Sequence, residues 1–309
     1  MTSDQRGAPV SSFFRLYAIL FLPLLFIIPL VHPLSFPPSY HSITLSATPS
    51  QQLLLTKSLR LKPVDNNNDH NNDHNTFTRD STTLTFTSHS PSPLRPQPYV
   101  THITLQTPLP PQTLTPYGDL TLTLTQTTSP PLPQKSGLRF DHIVGNVHSM
   151  PSTISHMSRI WPSPLPPFSS FASFSSKDVG TPNSGLNSVV LNPVGSEILL
   201  PLNEGVDGKL KSQINTFLEF NKGEGVQHIA LRCDDVIEEV TYMKDNGVEF
   251  LERPLEEYYD IVEEKVKPWL EEGEFERCKD MGILLDVETS EVGEGLLMQI
   301  FTEPFAKGE

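Results

Sequence analysis

The pattern of apolar and polar positions becomes regular after residue 138. Short apolar runs there, bounded by polar and turn residues, predict β-strands, and amphipathic stretches between them predict helices. The first series has predicted strands at 140–147, 168–174, 185–191 and 196–202 and a short helix at 150–160. The second series has strands at 226–232, 248–251, 283–287 and 295–302 and helices at 234–247 and 255–272. The C-terminal part is therefore predicted to be an α+β domain.

The two series read as one repeat. A His stands third in each of the matching strings "FDHIVGNV" and "VQHIALRC", and Ile follows it. His142 and His228 thus take the same place in two βαβββ units. Because side chains alternate along a strand, both imidazoles would face one cavity if the units pair. A lone His at the start of a buried strand is more often a core residue. The matched pair favours metal ligands, since two His and one carboxylate form a face that binds Fe(II).

Residues 34–136 differ in composition from the rest of the chain. Ser, Thr, Pro, Asn and Gln dominate there, and residues 1–135 hold 19 of the 30 Pro and no Glu. A segment with few large apolar residues cannot bury enough surface to offset its ordering entropy. We therefore predict a low-complexity, largely disordered N-terminal third. One strand is predicted near 117–126, where Leu alternates with Thr.

Residues 1–33 contain an apolar segment. The run "LYAILFLPLLFIIPLV" covers 16–31 and follows Arg6 and Arg15. As a helix it would span about 24 Å, less than the roughly 30 Å of a bilayer core. The pattern predicts a signal or targeting peptide or a membrane anchor, with a cytoplasmic chain as the alternative. Any membrane contact is expected only through 16–31.

The net charge of the C-terminal part argues against one class of partner, and the cysteine spacing argues against a cysteine metal site or a disulfide. Residues 197–309 carry 28 acidic and 11 basic side chains, a net charge of −17. Such a surface repels phosphate backbones, so no nucleic-acid partner is expected. Cys233 and Cys278 show no metal or disulfide spacing and are predicted to be free thiols.

From about residue 137 to 304 the chain resembles the 4-hydroxyphenylpyruvate dioxygenase family of the vicinal oxygen chelate superfamily. The resemblance is carried by "DHIVGNV", "DVGTPNSGLNSVVL", "LPLNEGVDGKLKSQI", "GEGVQHIAL", "GILLDV" and "LLMQIFTEP", in the family's order. It implies paired βαβββ modules, with 137–309 as the catalytic domain. It also implies an Fe(II) cofactor, a small aromatic keto acid and O2 as substrates, and a homo-oligomer.

The resemblance also implies site residues. His142 and His228 would be the two His ligands of the metal, and no acid–base residue is assigned. The substrate-binding residues would be Ser188, Asn203, Gln213, Gln227, Gln299 and Phe301.

The chain departs from the family after "QIFT". The family's third ligand is a Glu on a further strand, and neither Glu303 nor Glu309 stands in that context. The repeat shows the same difference, because "SEILLPLN" of the first unit has no counterpart in the second. The second module is therefore predicted to lack its last strand.

The resemblance implies conversion of 4-hydroxyphenylpyruvate and O2 to homogentisate and CO2, in tyrosine and phenylalanine catabolism. One alternative is an enzyme like hydroxymandelate synthase. The other is a catalytically inactive half-site that binds a ligand or a partner.

Overall fold

The structure is a computed structural model. It describes residues 38–64, 74–87, 99–128, 136–174, 184–208, 210–290 and 293–305. Two mixed β-sheets, one from each part of the chain, dominate it.

The N-terminal sheet has seven strands among the described residues. They are Ser39–Ser46 (β1), Lys62–Pro63 (β2), His74–Arg79 (β3), Thr82–Thr87 (β4), Tyr99–Thr107 (β5), Gln112–Leu114 (β6) and Thr121–Gln126 (β7). Their order is β2-β3-β4-β1-β5-β7-β6, with β1 parallel to β4 and β5 parallel to β7. Helix α1, Pro49–Ser58, follows β1 and begins at a capping box between Thr48 and Gln51. This part of the chain is thus a βαβββ unit followed by three more strands.

The expectation that 34–136 is largely disordered is wrong for the described part of that region. Apolar residues alternate with Thr along β4, β5 and β7, and the apolar side chains are almost fully buried. They include Leu84, Ile103, Leu105, Leu122 and Leu124. Thr suits the intervening positions because β-branched side chains fit a pleated surface. The average composition of the region does not reveal this alternation of apolar residues with Thr. The strand predicted near 117–126 is present as β7.

The described C-terminal part has seven strands and five α-helices. The strands are Arg139–Val147 (β8), Phe168–Phe174 (β9), Ser184–Pro193 (β10), Leu200–Asp207 (β11), Gly225–Arg232 (β12), Leu284–Ser290 (β13) and Gly293–Gln299 (β14). The helices are Met150–Ile160 (α2), Gln213–Phe220 (α3), Val236–Asp245 (α4), Glu256–Val266 (α5) and Glu274–Met281 (α6). One sheet has the order β12-β8-β11-β10-β9, and β13 and β14 form a separate antiparallel pair. The predicted α+β fold of βαβββ modules is confirmed.

Several boundaries differ from the sequence prediction. The fourth strand of the first unit begins at Leu200, and residues 248–251 form only one bridge, from Phe250 to Thr302. The helix predicted over 255–272 ends at Val266, and a 3-10 turn follows over Lys267–Trp269. Pro268 accounts for this break, because proline has no backbone N–H to donate and its ring clashes with the preceding helical turn.

The first strands of two units lie side by side in each sheet. β1 is antiparallel to β5, and β8 is antiparallel to β12. β1, β5 and β8 each have a parallel neighbour on the other side, namely β4, β7 and β11. Among the described strands, none pairs with the second edge of β12. The place that β11 fills in the first unit is therefore not filled by a described strand in the second.

Charged and polar contacts join the two parts of the chain. Glu239 on α4 is 8% exposed and accepts hydrogen bonds from both Arg79 and Arg60 of the N-terminal part. Asp80 accepts a hydrogen bond from the backbone N–H of Leu138, at 2.7 Å. The two parts thus pack against each other through specific ion pairs as well as apolar surface.

No helix in the described part of the chain is long and apolar enough to cross a membrane. The apolar segment 16–31 lies outside the described residues.

Candidate metal centre

The two matched histidines lie together. His142 on β8 and His228 on β12 have their Nε2 atoms 3.3 Å apart, and their ring planes meet at 74°. His142 is buried and His228 is half-buried. The predicted approach of the two imidazoles is therefore seen. They reach one another because their strands are neighbours in one sheet, with His228 opposite Val144, two residues along from His142.

Each histidine follows a β-bulge. In the pairing of β8 with β12, Val226 opposes Gly145 and His228 opposes Val144, so Gln227 has no partner position. Likewise, Ala230 opposes His142 and Leu231 opposes Phe140, so Asp141 is the extra residue of β8. Both extra residues directly precede a histidine.

The two extra residues bind the outer ring nitrogens. The Asp141 carboxylate lies 2.9 Å from Nδ1 of His142, and Oε1 of Gln227 lies 2.5 Å from Nδ1 of His228. Asp141 is buried and also pairs with Arg232 at 2.6 Å. A carboxylate only accepts hydrogen bonds, so Nδ1 of His142 carries a proton, and a neutral ring would then turn its Nε2 lone pair toward His228.

Electrostatics keep the second ring neutral. Burial lowers the pKa of His228 to about 3, with a smaller contribution from the nearby His142. A neutral imidazole is the form that ligates metals.

The two rings fit two metal ligands. At a metal–nitrogen distance of about 2.1 Å, a nitrogen separation of 3.3 Å corresponds to an angle of roughly 100°, between octahedral and tetrahedral values. A third ligand is not found: no group of three or more His, Cys, Asp or Glu side chains in the described residues could hold a metal ion. Asp141 is on the Nδ1 side of His142, and Glu309 lies outside the described residues.

Three other predicted site residues lie near the histidines or on their face of the sheet. The ring of Phe301 is 6.0 Å from that of His228, edge to face. Ser188 on β10 opposes Asn203 on β11, which in turn opposes Asn146 on β8. Paired residues share a face, and Asn146 has the same parity as His142. Ser188 and Asn203 therefore line the face that carries the imidazoles.

The remaining two predicted residues lie outside the sheet that carries the imidazoles. Gln213 is exposed at the first turn of α3, a helix that packs over β11 through the contact of Asn215 with Gly205. Gln299 is buried at the end of β14.

Sequence reasoning missed three polar residues of this region. They are Asp141, Arg232 and Asn146. The Nδ2 group of Asn146 is buried without a hydrogen-bond partner among the described residues, while its Oδ1 faces Asn203 at 3.3 Å. The only sequence signal for Asp141 is that a carboxylate directly precedes His142.

Known proteins share both the sequence pattern and the fold. Residues 170–263 match the family model of the Glyoxalase/Bleomycin resistance protein/Dioxygenase superfamily. The C-terminal half of the chain is similar to 4-hydroxyphenylpyruvate dioxygenases. The enzyme of Hordeum vulgare is 42% identical over 171 residues, which cover 54% of this chain and 37% of that protein. The enzyme of Arabidopsis thaliana is 38% identical over 171 residues, 54% of this chain and 36% of that protein. The match thus spans little more than a third of these relatives.

Solved structures extend the likeness to the N-terminal sheet. A 4-hydroxymandelate synthase variant from Streptomyces coelicolor superposes with a TM-score of 0.60 at 20% identity, over 88% of this chain and 95% of that chain. A xylose isomerase-like TIM barrel/4-hydroxyphenylpyruvate dioxygenase fusion protein gives a TM-score of 0.59 at 16% identity, over 90% and 51%. At these identities the likeness shows the fold alone.

Proposed function

We propose that the chain belongs to an Fe(II)-dependent dioxygenase that converts 4-hydroxyphenylpyruvate and O2 to homogentisate and CO2. The observation that supports this most is the pair of facing Nε2 atoms, 3.3 Å apart, at matched places in two repeated units. The similarity to 4-hydroxyphenylpyruvate dioxygenases supplies the substrate class.

His142 and His228 would hold the metal. When bound, Fe(II) supplies a centre that chelates the keto acid and activates O2. The protein's part is to present two neutral imidazoles from adjacent strands of one sheet. Burial at His142 excludes water from that side of the pair.

The rest of the face would bind the aromatic substrate. Ser188 and Asn203 offer neutral hydrogen-bonding groups, and Phe301 offers an aromatic surface beside His228. Neutral donors and acceptors can orient a phenol without adding charge to the site.

A second candidate function follows from the incomplete ligand set. Two neutral imidazoles supply no negative charge, and the described residues add no third ligand. With these two ligands alone, the chain would bind metal and keto acid weakly and act as a half-site. We expect an added strand that bears a Glu to restore both binding and turnover, because it completes a three-ligand face.

The test is turnover with added Fe(II). Oxygen uptake and product formation are measured for this chain, for a version extended by one Glu-bearing strand, and for His142→Ala and His228→Ala in the extended version. We expect homogentisate from the extended version and loss of both signals in the two His variants. Homogentisate and 4-hydroxymandelate have the same mass, so the products are separated by chromatography against standards. Turnover that survives both His substitutions would refute the proposed function.

A further inference from the structure

We propose that Asp141 and Gln227 are positioning residues that hold both imidazoles as the tautomer protonated at Nδ1. The two β-bulges are what allow them to do so. This inference rests on the proposed function only in one respect, namely that the two Nε2 atoms bind a metal ion.

The geometry of a regular strand would forbid these contacts. Successive side chains point to opposite faces, so the residue before a histidine normally lies across the sheet from the ring. Asp141 and Gln227 nevertheless reach Nδ1 of the next residue, at 2.9 and 2.5 Å. Each is the extra residue of a bulge, and a bulge re-aims side chains in this way. The same device thus occurs twice, once on each strand.

The contacts fix which ring nitrogens are free. An oxygen acceptor at Nδ1 requires a proton there, which leaves a lone pair on Nε2. With both rings in this form, two lone pairs face each other at 3.3 Å. The hydrogen bonds at Nδ1 hold this arrangement in the metal-free chain, and a cation between the two nitrogens would remove the repulsion of their lone pairs. The opposed tautomer is the competing arrangement: Gln227 would turn its amide nitrogen to Nδ1, and His228 would donate from Nε2 to His142.

The two positioning residues differ in charge. Asp141 is a buried carboxylate paired with Arg232, whereas Gln227 is an exposed amide. Loss of such a partner behind a ligating histidine typically lowers metal affinity about 10- to 100-fold.

The experiment uses the full chain without metal, and then Co(II) as the probe. Two-dimensional ¹⁵N–¹H spectra of the ring nitrogens report the tautomer of each histidine, assigned with His142→Ala and His228→Ala. Visible absorption reports Co(II) binding. The variants are Gln227→Leu, Gln227→Glu and Asp141→Asn. Gln112→Leu on β6 is the matched control, since it makes the same change away from the imidazoles.

We expect Nδ1–H forms for both rings in the starting protein. Gln227→Leu should mix the tautomers of His228 alone and weaken Co(II) binding about 10- to 100-fold. Gln227→Glu keeps an acceptor oxygen and should preserve the Nδ1–H form, and Gln112→Leu should change nothing. Asp141→Asn keeps an acceptor oxygen of the same kind as that of Gln227, so it should preserve the Nδ1–H form of His142, and its loss of charge should weaken Co(II) binding. An Nε2–H form of His228 in the starting protein, or unchanged tautomers in Gln227→Leu, would overturn the inference. Nδ1–H forms without any Co(II) binding would instead contradict the proposed function.

Discussion

Replacement of Glu239 should loosen the junction between the two parts of the chain. Glu239 sits on α4, and its carboxylate binds the guanidinium groups of Arg79 and Arg60. The side chains of Glu239 and Arg79 are only 10% and 20% exposed, and that of Arg60 is 30% exposed. The hydrogen bond to Glu239 is also the main cause that raises the pKa of Arg79.

The expected magnitude follows from this burial. Removing one partner of a buried ion pair costs about 3–5 kcal/mol. Both arginines keep some contact with water, so we expect about 2–3 kcal/mol for Glu239→Gln. For a chain of this size that corresponds to a fall in Tm of roughly 3–5 °C.

The assay is thermal unfolding together with limited proteolysis of the N-terminal sheet. Glu238→Gln is the control, because Glu238 lies next to Glu239, binds the same Arg60 and is 66% exposed. It should change stability by less than about 0.5 kcal/mol. Arg79→Met combined with Glu239→Leu should recover part of the loss, since it removes both buried charges. Equal Tm values for Glu239→Gln and Glu238→Gln would refute this account of the junction.

Three further predictions concern the interior. Gly145→Ala should destabilise the protein by about 1–3 kcal/mol, because the added methyl group would lie 2.5 Å from the hydroxyl of buried Tyr117. Urea titration measures this change in the free energy of unfolding. Burial raises the pKa of Cys233 and of Cys278 to about 12, so both thiols should resist alkylation at pH 8 until the chain unfolds. The stability of the chain should also fall as pH rises from about 9 towards 12, because the unfolded chain loses thiol protons that the folded chain keeps. Because the pKa of His228 is lowered to about 3, the unfolded chain takes up a proton that the folded metal-free chain does not. Its stability should therefore fall as pH drops from about 6.5 towards 3, and a flat profile by urea titration would contradict this.

The sequence could predict the repeat and the histidine pair because both depend on local patterns. The βαβββ units follow from short apolar runs, and His142 and His228 stand at matched places within them. Their role as metal ligands stays a prediction. The order of the strands could not be predicted from these local patterns, because it depends on pairings between residues far apart in the chain.

The N-terminal sheet was missed for a different reason. Its strands are short and rich in Thr, so buried apolar residues such as Leu84 and Leu124 make up only a small fraction of the region's composition. The bulges at Asp141 and Gln227 were missed because an extra residue in a ladder is defined only by the strand it pairs with. The ion pair of Glu239 with Arg79 likewise joins residues 160 positions apart.

The bulges also make the site depend on the length of its strands. Deleting one codon at position 141 or 227 would turn a bulge into a regular pair. The pairs on either side of the deletion would keep their partners, so both histidines would stay on the same face of the sheet. Each deletion would remove only the acceptor behind one ring. For this chain, single-residue deletions in β8 and β12 would therefore separate the role of the bulges from that of the histidines themselves.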